Sequence, residues 1–171
     1  MRDQTGMTMT TATKERKPAP KIGKDARYYE DLNPGDSWVS PRRTITEADI
    51  VMFAAMTGDH NPIHTDEEFA RHTIFGGRIL HGPAGFAIAT GLESRLGIKE
   101  GTAIAFLGMT WDLRGPIKIG DTIRVEEKVT GKRETKKPDQ GIVFFHVELL
   151  NQRDEVVQEG EWKIMMIRKG A

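Results

Sequence analysis

Residues 82–97 read Gly-Pro-Ala-Gly-Phe-Ala-Ile-Ala-Thr-Gly-Leu-Glu-Ser-Arg-Leu-Gly, and this stretch decides the fold. Up to Glu93 it is apolar on nearly every helical face. A helix of that kind is buried rather than laid on a surface. Its alanines and glycines let other elements come close to its backbone. Pro83 suits a first helical turn, with Gly82 just before it.

Beyond Gly97 the pattern changes to alternation. "DTIRVEEKVT" (121–130) puts Ile123 and Val125 in one phase and slips around Glu126-Glu127. "GIVFFHVELLN" (141–151) alternates at Val143, Phe145, Val147 and Leu149, and "EVVQEGEWKIMMIRK" (155–169) keeps Trp162, Ile164 and Met166 in phase. Gly120-Asp121 and residues 151–155 supply turns. "TAIAFLGMTWDLRGPI" (102–117) is mixed, and "GKRETKKPDQG" (131–141) reads as a polar hairpin loop. Trp111, Phe144 and Trp162 read as sheet or interface packing. One buried helix followed by antiparallel strands predicts an α+β architecture, a sheet wrapped around a long central helix.

Upstream, "TITEADIVMFAAMTG" (44–58) reads as a helix capped by Thr44 or Thr46 and stopped by Gly58, with Ile50, Phe53, Ala54 and Met56 at helical spacing. A loop over Asp59–Thr65 leads to a second short helix in "DEEFARHT" (66–73). Asn33-Pro34-Gly35-Asp36 is a turn signal beside short strand-like stretches. Residues 1–26 are polar, rich in Thr and Lys, and read as a disordered tail, because they have too little apolar surface to offset their ordering entropy. The domain is expected over 27–171.

The 171 residues fit one domain with a tail. Lys+Arg and Asp+Glu both number 25, so no charge excess points to nucleic acid or an anionic membrane. With no cysteine there is no disulfide, thiolate metal site or Cys nucleophile. No apolar run approaches the roughly 20 residues of a membrane span, and no apolar secretory leader is visible. The expectation is a soluble cytoplasmic protein.

The chemistry concentrates in Thr57-Gly58-Asp59-His60-Asn61-Pro62-Ile63-His64. A carboxylate and an imidazole, Asp59 and His64, share a loop that Pro62 stiffens. A positioned Asp–His pair moves protons. From spacing alone, however, plain structural roles are favoured: Asp59 as a cap or Asx-turn residue, His64 as a satisfied histidine, and Asn61 as a turn holder. Asp59, His60, His64 and the nearby His72 match no zinc spacing, so no metal is expected. Leu80-His81-Gly82-Pro83-Ala84 opens the central helix. Its free N–H groups, at Gly82 or Ala84 since Pro83 has none, suit a developing oxyanion or serve only as ordinary capping.

"TGDHNPIHTDEEFA" (57–70) followed by "GGRILHGPAGFA" (76–87) resembles the MaoC-like dehydratase family, which includes (R)-specific enoyl-CoA hydratases. The family signature is Gly-Asp-x-Asn-Pro-aliphatic-His, five residues, then Ala or Ser. Gly58, Asp59, Asn61, Pro62, Ile63, His64 and Ala70 match it throughout. The resemblance runs over roughly residues 28–167 and has no counterpart for 1–26. It implies a hot-dog fold, a homodimer with substrate at the subunit interface, and reversible hydration of an enoyl-CoA to a (3R)-hydroxyacyl-CoA. It also implies Asp59 and His64 as the catalytic dyad, Asn61 orienting the loop and the Gly82 N–H in an oxyanion hole. Coenzyme A is then part of the substrate, and no separate cofactor is implied. A hot-dog thioesterase, a non-catalytic subunit of a heteromeric dehydratase, and acyl carrier protein in place of CoA are the alternatives. Phe86 reads as core rather than pocket wall, Thr90 as bonded to its own helix, and Arg114, Lys118 and Arg124 as solvated charge near strand ends.

Overall fold

The alternating segments become three long antiparallel strands: β5 (Thr122–Glu134), β6 (Gln140–Leu150) and β7 (Val156–Ile167). The computed structural model describes residues 22–170. Of the expected tail, residues 1–21 lie outside the described residues. Within 22–27, the Gly23 N–H reaches Glu100 O at 3.1 Å and the Arg27 N–H reaches Ile98 O at 2.8 Å.

The first strands are short, β1 (Ser37–Val39) and β2 (Arg43–Thr44), and both pair with β5. Next come β3 (Ala103–Met109) and β4 (Asp112–Leu113), which pair with β7. The sheet order is β1-β5-β6-β7-β3, antiparallel throughout. Across it Val125 faces Leu149 and Phe145 faces Trp162, so the inward phases of the long strands coincide. The central helix, α4, runs from Gly82 to Ser94. Ala84, Ala89 and Leu92 join Ile123, Val125, Val147 and Trp162 in one core. Phe86 is partly buried and packs against the core, its ring 5.3 and 5.8 Å from those of Trp111 and Trp162.

Three expectations about the sheet and the central helix need correction. The phase of β5 does not slip: Glu127 occupies the inward position between Val125 and Val129 and is buried with them. The hairpin loop is shorter than 131–141, because β5 continues to Glu134 through a bulge at Val129/Gly131 and β6 starts at Gln140. Polar residues can form those strand ends because pairing, not core burial, holds them. Third, α4 is not buried all round. Ala87 and Gly91 are exposed, as are Ile104, Phe106, Leu107 and Met109 of the edge strand β3.

The other helices follow their signals. α1 (Glu47–Thr57) starts at Thr46, whose N–H donates to Asp49 Oδ2 at 2.8 Å. It ends at Gly58, whose φ of 76° is the left-handed conformation that glycine adopts without strain. Ile50 and Ala54 face the core and Phe53 packs against it, but Met56 is exposed. Part of the expected Asp59–Thr65 loop is helical: α2 covers Pro62–Thr65, and α3 (Glu67–Arg71) follows. Pro62 at the first helical position favours that short turn.

Candidate active site

Asn61 caps α2 by accepting the Ile63 N–H at 3.2 Å. Asp59 Oδ1 accepts the Asn61 N–H, also at 3.2 Å. This is the turn-holding role that side-chain-to-backbone bonding predicts for both residues. It leaves the rest of the Asp59 carboxylate free, and Asp59 is exposed. His64, the third residue of α2, is half-buried. Its Nδ1 lies 2.8 Å from Ile79 O. A carbonyl only accepts, so Nδ1 carries the proton and Nε2 presents a lone pair.

The Asp59, His64 and His81 side chains each bring a ligating atom within 4.8 Å of the others. The arrangement suits a proton relay better than chelation. The two imidazoles stack with centroids 3.8 Å apart at 26°, so their in-plane lone pairs run side by side instead of converging on one ion. A second cluster, His146, Glu148 and Glu159, lies on strands away from this loop.

His64 and Gly82 line one cavity of about 450 Å³, together with Phe75, Ile79, Leu113 and Gln158. It is mostly apolar with a few polar groups, as expected of a site for a small organic molecule. At the start of α4 the Ala84 N–H is used, donating to His81 O at 3.0 Å. Among the described residues no hydrogen bond takes the Gly82 N–H, which makes Gly82 the free donor of the pair. A Cβ there would lie 2.6 Å from Cδ1 of the exposed Leu113, so a larger residue would have to push that side chain aside.

Reading the sequence missed two residues. Gln158, on β7, is buried and donates from Nε2 to Gly82 O at 3.1 Å, while its Oε1 accepts the Trp111 N–H at 2.9 Å. It shares the inward phase of Trp162, so a polar residue at that register was the available signal. His81 is fully buried with Nε2 3.0 Å from Asp59 O. Its signal was a histidine at a helix N-cap, where Ser, Thr, Asp or Asn is usual. Thr90 donates to Ala87 O at 2.7 Å, within its own helix. Arg114 pairs with Glu159 and Asp112, and Arg124 with Glu126 and Asp154. No helix among the described residues is long and apolar enough to cross a membrane.

Residues 32–147 match the family model for the MaoC like domain. The chain is 35% identical over 145 residues to an (R)-specific enoyl-CoA hydratase of Rhodospirillum rubrum, covering 84% of this chain and 94% of that one. It is 46% identical over 113 residues to Protein MaoC of Klebsiella aerogenes, covering 65% of this chain but only 32% of that longer protein. Among solved structures, a MaoC-like dehydratase from Rhodospirillum rubrum superposes with a TM-score of 0.75 at 34% identity, covering 85% of this chain and 99% of that one.

Proposed function

The chain belongs to the MaoC-like domain family, with its hot-dog fold, and on that premise we propose that it is a hydratase/dehydratase acting on an enoyl-CoA thioester. The observation that carries the reading is that His64 and Gly82 line one apolar cavity, that among the described residues His64 Nε2 and the Gly82 N–H have no hydrogen-bond partner, and that the Asp59 carboxylate lies within 4.8 Å of the His64 ligating atom.

In the proposed mechanism a water lies between Asp59 and His64. The dyad takes one proton from it as the oxygen bonds to C3 of the enoyl thioester. The π electrons move toward C2 and onto the thioester oxygen, where the Gly82 N–H and the positive end of α4 stabilise the charge. C2 then takes a proton back from the dyad as the carbonyl re-forms. Water has been added, and the reverse sequence removes it. Delivery of the oxygen and the proton to one face makes the addition syn; attack on the face of C3 that gives the (3R) alcohol is carried over from the R. rubrum relative, whose name is (R)-specific enoyl-CoA hydratase. No step needs a redox group or a metal. Asn61 holds the loop, and Gln158 holds the turn that presents Gly82.

We assign the exposed apolar edge of β3 and the open face of α4 to a second copy of the chain, because an unpaired edge strand with apolar side chains exposed marks an interface. Light scattering at micromolar concentration is expected to give twice the chain mass of 19.2 kDa. A monomer there would remove the assignment.

The activity is tested with a short trans-2-enoyl-CoA, following loss of the conjugated absorbance with a thiol reagent present. Hydration gives absorbance loss without thiol release. Thiol release instead identifies a thioesterase. No change with short, long or branched acyl chains rejects the hydratase reading for this chain acting alone.

A further inference from the structure

We propose that His81 is a positioning residue for the dyad, holding Asp59 by a hydrogen bond and His64 by ring stacking. The proposal rests on the dyad reading above but goes beyond the residues that reading uses.

His81 has no exposed surface, so it does not touch substrate. Its Nε2 is 3.0 Å from the Asp59 carbonyl oxygen. That oxygen only accepts, so Nε2 carries the proton and donates. The bond spans 22 positions in sequence and ties the dyad loop to the first turn of α4, which presents Gly82. One face of the ring lies on His64, at 3.8 Å. Phe53 of α1 lies 5.0 Å away at a tilt and closes the pocket around the ring. The His64 ring is therefore restrained twice, at Nδ1 by Ile79 O and over its plane by His81. The remaining His81 nitrogen, Nδ1, is buried without a partner. An apolar ring would pack in the same place without that orphaned atom. Keeping an imidazole there is explained by the one bond that only its Nε2–H supplies. The logic is that of an orienting group behind a catalytic base, with the usual order reversed: here a histidine orients the carboxylate's backbone.

Two variants separate the contacts. His81→Gln keeps an N–H donor near the Nε2 position and removes the stacked ring. His81→Phe keeps the ring and removes the donor. Both are first checked for a wild-type melting curve. Each is expected to lower kcat about 10- to 100-fold, as second-sphere changes do, with KM within about threefold. The His64 Nδ1–H resonance in a ¹H–¹⁵N spectrum gives a readout that needs no turnover. It is expected to be slowly exchanging in the wild type, retained in His81→Phe and lost in His81→Gln. An unchanged resonance in His81→Gln, or wild-type kcat in both variants, overturns the proposal. A wild-type protein that hydrates no enoyl thioester would reject the functional reading instead, and the resonance would still decide the role of His81.

Discussion

The two ends of α4 both carry histidine, lysine or carboxylate groups, and they treat them in opposite ways. At the N-terminal end, Asp59 is exposed, His64 is half-buried, His64 and Gly82 line a cavity, and among the described residues neither His64 Nε2 nor the Gly82 N–H has a hydrogen-bond partner. At the C-terminal end, Glu93, Lys99 and Glu127 are drawn together into an ion-paired cluster, with Glu127 buried. Lys99 Nζ is 2.6 Å from Glu93 Oε1, bonds Glu127, and sits 4.0 Å over the Phe145 ring. A larger cavity, about 540 Å³, is lined by Glu93 and Lys99 of this second cluster and by none of the dyad residues. Cavity size therefore does not locate the chemistry. What locates it is an unpartnered lone pair and an unpartnered donor on residues that line the same cavity; in the second cluster Lys99 is paired with both carboxylates, and the unpartnered oxygen, Glu127 Oε2, is buried on a residue that does not line the cavity.

The contrast can be broken at either end. The largest effect is expected from His64→Gln. Removing the base should lower kcat/KM about a thousandfold, or about 4 kcal/mol of transition-state stabilisation, with little change in melting temperature. Steady-state rates beside a thermal melt check both halves. Next is Lys99→Met, which leaves two buried carboxylates without their cation. That should cost about 3 kcal/mol of stability in denaturant unfolding and leave kcat of the folded enzyme unchanged. A variant as stable as wild type would show that the cluster is not a paired unit.

The smallest effect is a pH dependence. Desolvation pushes the Glu127 carboxyl up to about 7, against the lowering effect of Lys99 and with the help of Glu93. A carboxyl raised in the folded state binds its proton more tightly there than in the unfolded chain. Its contribution is fully present below the unfolded value near 4.5 and is lost as pH rises through about 7. The wild-type melting temperature, relative to Glu127→Gln, is therefore expected to fall between those limits. A constant difference over that window would contradict the assignment.

Much of this was legible in the sequence. The small-residue helix, the capping at Thr46 and Gly58, and the loop carrying Asp59, Asn61 and His64 all follow local rules, and local rules are what a sequence displays. What was hidden depends on partners distant in the chain. Glu127 looked like a broken β pattern because Lys99, which makes its burial tolerable, lies 28 residues away. Gln158 looked incidental without the Gly82 carbonyl it bonds, 76 residues upstream. The strand β3 read as mixed because bulges at Ala103/Ala105 and Phe106/Gly108 interrupt its alternation, and it is an edge with apolar side chains exposed. His81 broke a capping preference, and such a departure from a local rule often marks a functional position.

The most direct measurement is kcat/KM of Asp59→Asn on a short trans-2-enoyl-CoA, taken together with its melting temperature. Asparagine keeps the shape of the side chain and can still accept the Asn61 N–H, so the loop should survive. The account predicts a fall of at least about a hundredfold with the melt unchanged. Activity within about threefold of wild type would mean that the chemistry does not run through Asp59.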